Sequence, residues 1–253
     1  MELIDSHCHL DDDRFDSRRE YVIAQAAAVN VTRMVIPATT ANRWEKVKQV
    51  CAAGDGLYPA YGLHPMFIEQ HQANHLRELD EWLEREQPVA VGECGIDFYA
   101  SRVDEKWQLQ LFTEQVQLAN NHHLPVIVHV RKAMDEVISL VRKQARFGGV
   151  VHSFSGSRQQ AQQLYDAGFK LGIAATLSFE RAQKLRGVVT AMPDDALLIE
   201  SDAPDQPGAA HRGELNEPAF IVDHLQTMAE LRNCSVEDLA AILTRNTESL
   251  FNI

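Results

Sequence analysis

Eight short β-rich runs recur along the 253 residues, separated by stretches with helical spacing, and this alternation constrains the fold more than any other feature. The runs are Leu3 to His9, Arg33 to Thr39, Leu57 to His64, Val89 to Asp97, Leu124 to Val130, Gly149 to Phe154, Phe169 to Leu177 and Leu197 to Asp202. Several are apolar on consecutive positions, as strands covered on both faces must be. Helical spacing marks Ser17 to Asn30, Ala41 to Ala53, Asp80 to Glu86, Asp104 to His122, Ala133 to Gln144 and Ser157 to Ala167, with Ser17 and Ser157 as N-caps and Gly168 as a C′ glycine. Parallel strands joined by right-handed crossovers follow from the alternation. Eight of them match closure into an α/β fold of the (β/α)₈ TIM-barrel type, about 250 residues long; a doubly wound open sheet is the alternative. No linker or composition break divides the chain, so residues 1–253 read as one domain, with terminal helices in Glu217 to Ile253. The Pro- and Gly-rich stretch Ala203 to Asn216 reads as a loop over the barrel mouth.

Six metal-competent side chains fall at or near the C-terminal ends of these strands: His7 and His9 on the first, Glu93 on the fourth, His129 on the fifth, His152 on the sixth and Asp202 on the eighth. Barrel enzymes assemble their sites at those ends. His7 and His9, two apart on a strand, project to one face while Cys8 points away. A lone His-x-His pair is compatible with ordinary packing; the conjunction of all six points to a metal-dependent hydrolase. Nitrogen and carboxylate donors without thiolate suit zinc, magnesium, manganese or iron, and six exceed what one tetrahedral ion needs. Two divalent ions bridged by Glu93 are therefore expected, with Asp202 orienting and deprotonating the attacking water.

Around this centre, Ser153 to Ser157 leads into a helix whose first N–H groups suit an anion, making Ser155 a substrate-binding candidate. Arg131, Lys132 and Arg158 are candidate cations, Phe67, Phe98 and Tyr99 candidate stacking surfaces, and His211 a candidate contact from the loop. Asp5 and Glu200 share parity with His7 and Asp202, so they should support the ligands from one layer below, with Arg131 as a counter-charge. No chemistry is assigned to His71, His75, His122 or His123.

The net charge of −12 argues against a broad basic face and so against tight, sequence-independent binding along nucleic acid. Cys8, Cys51, Cys94 and Cys234 form no C-x-x-C pair and read as reduced thiols. Met1 runs almost directly into the first strand, and no apolar run approaches the 18 or so residues of a membrane span; a cytoplasmic protein without membrane attachment or an obligate protein partner is the expectation.

Ile4-Asp5-Ser6-His7-Cys8-His9-Leu10, Gly62-Leu63-His64-Pro65, Val91-Gly92-Glu93-Cys94-Gly95-Ile96-Asp97, His152-Ser153-Phe154-Ser155-Gly156-Ser157 and Glu200-Ser201-Asp202-Ala203-Pro204 resemble the TatD family of metal-dependent deoxyribonucleases, above all its YjjV-like branch. The resemblance extends to Asn246-Thr247. It implies a TIM barrel and phosphodiester hydrolysis on DNA, 3′-to-5′ exonucleolytic, acting on single strands or strand ends. By the same resemblance His7, His9, Glu93 and Asp202 would hold one metal, Glu93, His129 and His152 the other, and His64 would face the substrate. Leu215-Asn216-Glu217-Pro218 departs from the family's usual pattern, so no substrate contact carries over to that loop, and Cys94 replaces a common aliphatic residue. The rival function is an amidohydrolase or esterase acting on a small amide, lactone or aminoacyl ester. Against it, the fourth strand offers Glu93 and no Lys to be carboxylated as a bridge.

Overall fold

The computed structural model describes residues 2–99 and 104–253. Its eight strands, β1 (Leu3–Asp5), β2 (Val31–Pro37), β3 (Leu57–Tyr61), β4 (Ala90–Asp97), β5 (Val126–Arg131), β6 (Gly149–Val151), β7 (Phe169–Ile173) and β8 (Leu197–Ile199), pair in sequence order, all parallel. Backbone bonds just beyond the last paired residues join β8 to β1: Ser6 N–H to Ile199 O at 3.1 Å, Asp202 N–H to His7 O at 2.9 Å and His9 N–H to Ala203 O at 2.8 Å. That seam makes the sheet a TIM barrel.

Helices α1 (Arg19–Ala28), α2 (Trp44–Ala52), α3 (Asn74–Glu86), α4 (Glu105–Asn121), α5 (Met134–Gln144), α6 (Arg158–Tyr165), α7 (Gln183–Ala191), α8 (Ile221–Arg232) and α9 (Val236–Phe251) alternate with the strands or close the chain. α7 lies outside the expected helices and α3 begins six residues before its expected start, although Leu76, Leu79 and Leu83 in α3 and Leu185, Val188 and Val189 in α7 recur at helical spacing and are buried. Ser157 caps α6 as expected, in a reciprocal capping box with Gln160. Ser17 does not cap α1, whose N-cap position is Arg18 with no side-chain bond. Gly168 takes φ +81° three residues after α6 rather than directly at its cap.

Val35, Ala60, Ala90, Ile127, Val150 and Leu198 form one apolar cluster from six strands, joined by Phe251 at the end of α9. Two-residue alternation carries Ile127, Val150 and Leu198 to His129, His152 and Glu200, so this cluster is the barrel interior beneath the polar ends. On β4 the alternation breaks. Val91 pairs with Val126 but Cys94 with Val128, three residues against two, and this bulge turns Glu93 inward although strict parity with Ala90 would turn it out. Gly92 and Gly95 permit the close approach: a Cβ would stand 2.6 Å from Ile127 Cβ on the first and 2.0 Å from the His129 carbonyl oxygen on the second. The room they make is for the neighbouring β5, not for Glu93 itself.

Candidate metal centre

Just past β1, His7 and His9 project together while Cys8 is fully buried in the main core. The β8–β1 seam sets Asp202 beside them, with Asp202 Oδ1 3.5 Å from His7 Nε2 and 3.7 Å from His9 Nε2. Glu93 stands between two groups of imidazoles. Its Oε2 is 3.3 Å from Nε2 of both His7 and His9. Its Oε1 is 2.7 Å from His152 Nε2, 3.3 Å from His129 Nδ1 and 3.0 Å from His64 Nε2. His152 stacks on His7 with ring centroids 4.1 Å apart.

The donors fit a divalent cation. Both Glu93 oxygens are buried and neither receives a hydrogen bond of proper geometry, although five ring nitrogens crowd them. Nitrogen lone pairs and carboxylate oxygens thus converge on shared space, and His7 Nε2 and His9 Nε2 face one another at 3.2 Å. Among the described residues, three sets have ligand atoms close enough to share an ion: His7, Glu93 and His152; His7, His9 and Asp202; His64, Glu93 and His129. Burial opposes ionisation of Glu93, yet the surrounding histidines, His152, His64 and His7 foremost, hold its carboxyl well below the usual range. Burial pushes His7 and His64 down to about 4.

Buried groups hold several of these side chains. His9 Nδ1 faces Pro37 O at 3.2 Å, and His129 Nε2 faces Asp97 Oδ2 at 3.1 Å. Asp97 is itself held through its backbone by the Gln108 side chain. Asp5 and Glu200 lie below the centre, fully buried, and burial raises them to about 7 and about 8. Asp5 Oδ1 accepts from the N–H groups of His7 and Ser201; Glu200 Oε1 accepts from Ser153 N–H and stands 3.7 Å from His152 Nδ1.

A family model described as "TatD related DNase" matches residues 4–252. The chain belongs to the TatD family. An Escherichia coli K12 relative named uncharacterized metal-dependent hydrolase YjjV is 37% identical over 99% of this chain and 98% of its own. YabD of Bacillus subtilis, named in the same way, is 31% identical over 99% of each. The crystal structure of the E. coli YjjV TatD homologue superposes with a TM-score of 0.96 at 36% identity, covering 99% of this chain and 98% of that one.

Above the centre of this TatD chain opens a cavity of about 880 Å³. Its lining includes Met66, Phe67, Val130 and Arg131 as well as Asp11, Asp12, Arg14, Arg43 and Asp205. Ser155 lines it and is exposed. Other sequence candidates are displaced. Arg131 is no counter-charge to Asp5 or Glu200: it sits at the mouth, its guanidinium 3.6 Å over the Tyr99 ring. Neither Lys132 nor Arg158 lines the cavity, since both follow their strands onto the outer surface. At the N-terminus of α6 the Ser157 side chain accepts from Gln160 N–H, and Glu200 accepts from Ser153 N–H, so part of the donor set there is already paired. Phe98 is buried in the core. His211 stays outside the cavity, between Glu214 and Asp223, and ties the loop down. Asn216 does the same, donating to the carbonyls of Ser201 and Asp205.

Two contacts escaped the sequence reading. Asp97 lay in a quoted motif, but its direction, like that of Glu93, is set by the bulge on β4, and parity counted from Ala90 points it the wrong way. Gln206, which donates to Asp202 Oδ2 and touches Ser153 Oγ, had no signal, because only the folded loop brings it there.

Proposed function

We propose that the chain is a divalent-metal-dependent phosphodiesterase that shortens DNA from single-stranded ends in the 3′-to-5′ direction. The observation that carries this reading is the partition of histidines about Glu93, Oε2 toward His7 and His9, Oε1 toward His129 and His152. His7, His9, Glu93 and Asp202 would hold one ion, and Glu93, His129 and His152 a second. Two such ions supply an acidified water and neutralise charge on the attacked group and leaving oxygen. Asp202, at the cavity floor, orients that water and takes its proton. Arg131 faces a phosphate at the mouth, and the Tyr99 ring under it and Phe67 beside His64 offer flat faces for a base.

The shape of the mouth favours a strand end over a long duplex. Arg14 is shared between Asp12 and Asp205, and Arg43 pairs with Asp13, so these cations offer no continuous basic track. The name of the matching family model supports DNA as substrate, and Glu93 in place of a strand-four Lys speaks against the amide-cleaving alternative. Among the described residues no helix is long and apolar enough to cross a membrane. The deciding experiment incubates metal-reconstituted protein with end-labelled single-stranded DNA and, in parallel, with a panel of amides and esters. A ladder of shortened DNA that disappears with EDTA is expected; turnover of the small esters alone would replace this reading with the carboxyl-ester one.

A further inference from the structure

The connections that follow β7 and β8 bring three exposed cations to one edge of the cavity. Phe179, just after the 3-10 turn Ala175–Ser178, is half-buried, and the guanidinium carbons of Arg181 and Arg212 each stand 5.4 Å from its ring centre. Lys184, in the first turn of α7, donates from Nζ to Ser155 O at 3.2 Å. Ser155 lines the cavity, as does Leu185, the residue after Lys184. The cationic edge is therefore continuous with the mouth.

What these cations lack is a carboxylate. Elsewhere Arg14, Arg18, Arg33, Arg43 and Arg232 all pair with acids. Among the described residues Arg181, Lys184 and Arg212 form no ion pair, although the chain carries a net charge of −12. The acids next to them in sequence do not answer them. Glu180 forms no ion pair among the described residues either, and Glu214 Oε2 faces His211 Nδ1 at 2.9 Å. The loop that carries Arg212 is anchored as it passes this edge, because Ala209 N–H donates to Ser178 Oγ at 2.8 Å and His211 bridges Glu214 and Asp223. Arg212 is thus brought to Phe179 by a tied segment. Two guanidiniums gathered on one ring repel each other, and an anion lying across both relieves that repulsion.

We propose that Arg181, Lys184 and Arg212 bind successive phosphates of a single-stranded DNA segment whose end lies in the cavity. That the polyanion is DNA rests on the phosphodiesterase reading; the gathering of unpaired cations does not. With the 3′ end at the centre, the 5′ side of the strand leaves the mouth past Ser155 and Leu185 and meets Lys184 first, then the two guanidiniums. Phe179 positions those guanidiniums in advance, so that two long side chains lose less freedom when the strand binds.

Binding of oligothymidylates to the zinc-loaded Asp202→Asn chain across a salt series separates this edge from the centre. The probes are a dodecanucleotide and a dinucleotide, whose single phosphate the centre itself takes. Replacing Arg181, Lys184 and Arg212 together by Gln is expected to weaken the dodecanucleotide roughly tenfold and to flatten its log–log salt slope by about 2, at about 0.7 per phosphate contact removed. The dinucleotide should lose far less. An unchanged slope, or an equal loss for both lengths, would overturn the proposal. Arg181→Lys combined with Arg212→Lys should keep the parent slope, since the charges remain; loss of slope there as well would trace the effect to packing on Phe179 and overturn it too. Turnover by the unsubstituted chain tests the phosphodiesterase reading separately. If only small carboxyl esters are hydrolysed while the length-dependent binding holds, that reading fails and the edge stands as a polyanion site. If DNA is shortened but binding ignores the Gln substitutions, the edge fails alone.

Discussion

The floor and the rim of the cavity are made by different means. On the floor, His7, Glu93, His152 and Asp202 are buried, stand at strand ends, and meet partners that are buried too. On the rim, in the connections that follow β1, β2 and β8, Arg14 pairs with Asp12 and Asp205 and Arg43 with Asp13 through partly exposed ion pairs, each worth about 1 kcal/mol or less. The barrel thus fixes the floor, whereas the rim is held by pairs that can be exchanged at little cost in stability. Substitutions on the two should differ in kind as well as in size.

Glu93→Gln should have the largest effect, because the neutral amide removes the charge about which both sets of histidines gather. Metal per chain should fall to half or less and turnover by roughly 10⁴-fold. Full metal content with normal turnover would remove Glu93 from the centre. Asp202→Asn should separate holding from reacting: most metal stays bound, while turnover drops about 10³-fold for want of a proton acceptor. Parallel loss of both would reduce Asp202 to a ligand.

Below the floor, His224 Nε2 donates to the Glu200 carbonyl oxygen at 2.9 Å, and burial pushes its pKa down to about 4. The unfolded chain, with an ordinary value near 6.5, takes up this proton first. The stability present above pH 6.5 should therefore decline as pH falls and level off below about 4, a loss of about 3 kcal/mol. Urea denaturation of the wild type and His224→Gln at pH 7 and 4.5 checks it; equal losses in both would clear His224 of the effect. Asp97→Asn comes next, with metal affinity about 10–100-fold weaker as the acceptor that orients His129 loses its charge. Isothermal titration with zinc measures this, and unaltered affinity would show that the packing around His129 suffices.

The smallest effect belongs to the rim. Among the described residues Arg131 forms no ion pair, unlike Arg14 and Arg43, so Arg131→Ala should weaken single-stranded DNA binding a few-fold and flatten its salt dependence by about 0.7 in log–log slope. For the parent chain a slope corresponding to roughly two to four phosphates is expected. Measured on the Asp202→Asn background, a slope steeper than about −5 would mean that the rim carries a basic track after all, and the contrast between floor and rim would collapse.

Period-two strand patterns and the residues that end them carried most of this in the sequence, which is why the barrel and the gathering of His7, His9, His129, His152 and Asp202 were legible. Glu93 was legible as a residue but not as a direction, since only the bulge against β5 turns it inward. The second nitrogen of each imidazole was invisible, because its partner comes from a distant strand or from a turn whose geometry is tertiary. Arg131 was misplaced for a related reason: a strand-end position gives height in the barrel but does not say whether a long side chain folds down toward buried carboxylates or out over Tyr99.

The β8–β1 seam has a consequence for the order in which the molecule is made. His7 emerges from the ribosome nearly two hundred residues before Asp202, yet a backbone bond joins them. No nascent chain can own the complete centre until the eighth strand has been synthesised and docked, so a growing polypeptide is chemically silent by construction. The same bond makes metal uptake a reporter of ring closure: a circular permutant opened at a surface loop far from the seam should load normally, while a chain truncated before Leu197 should never do so.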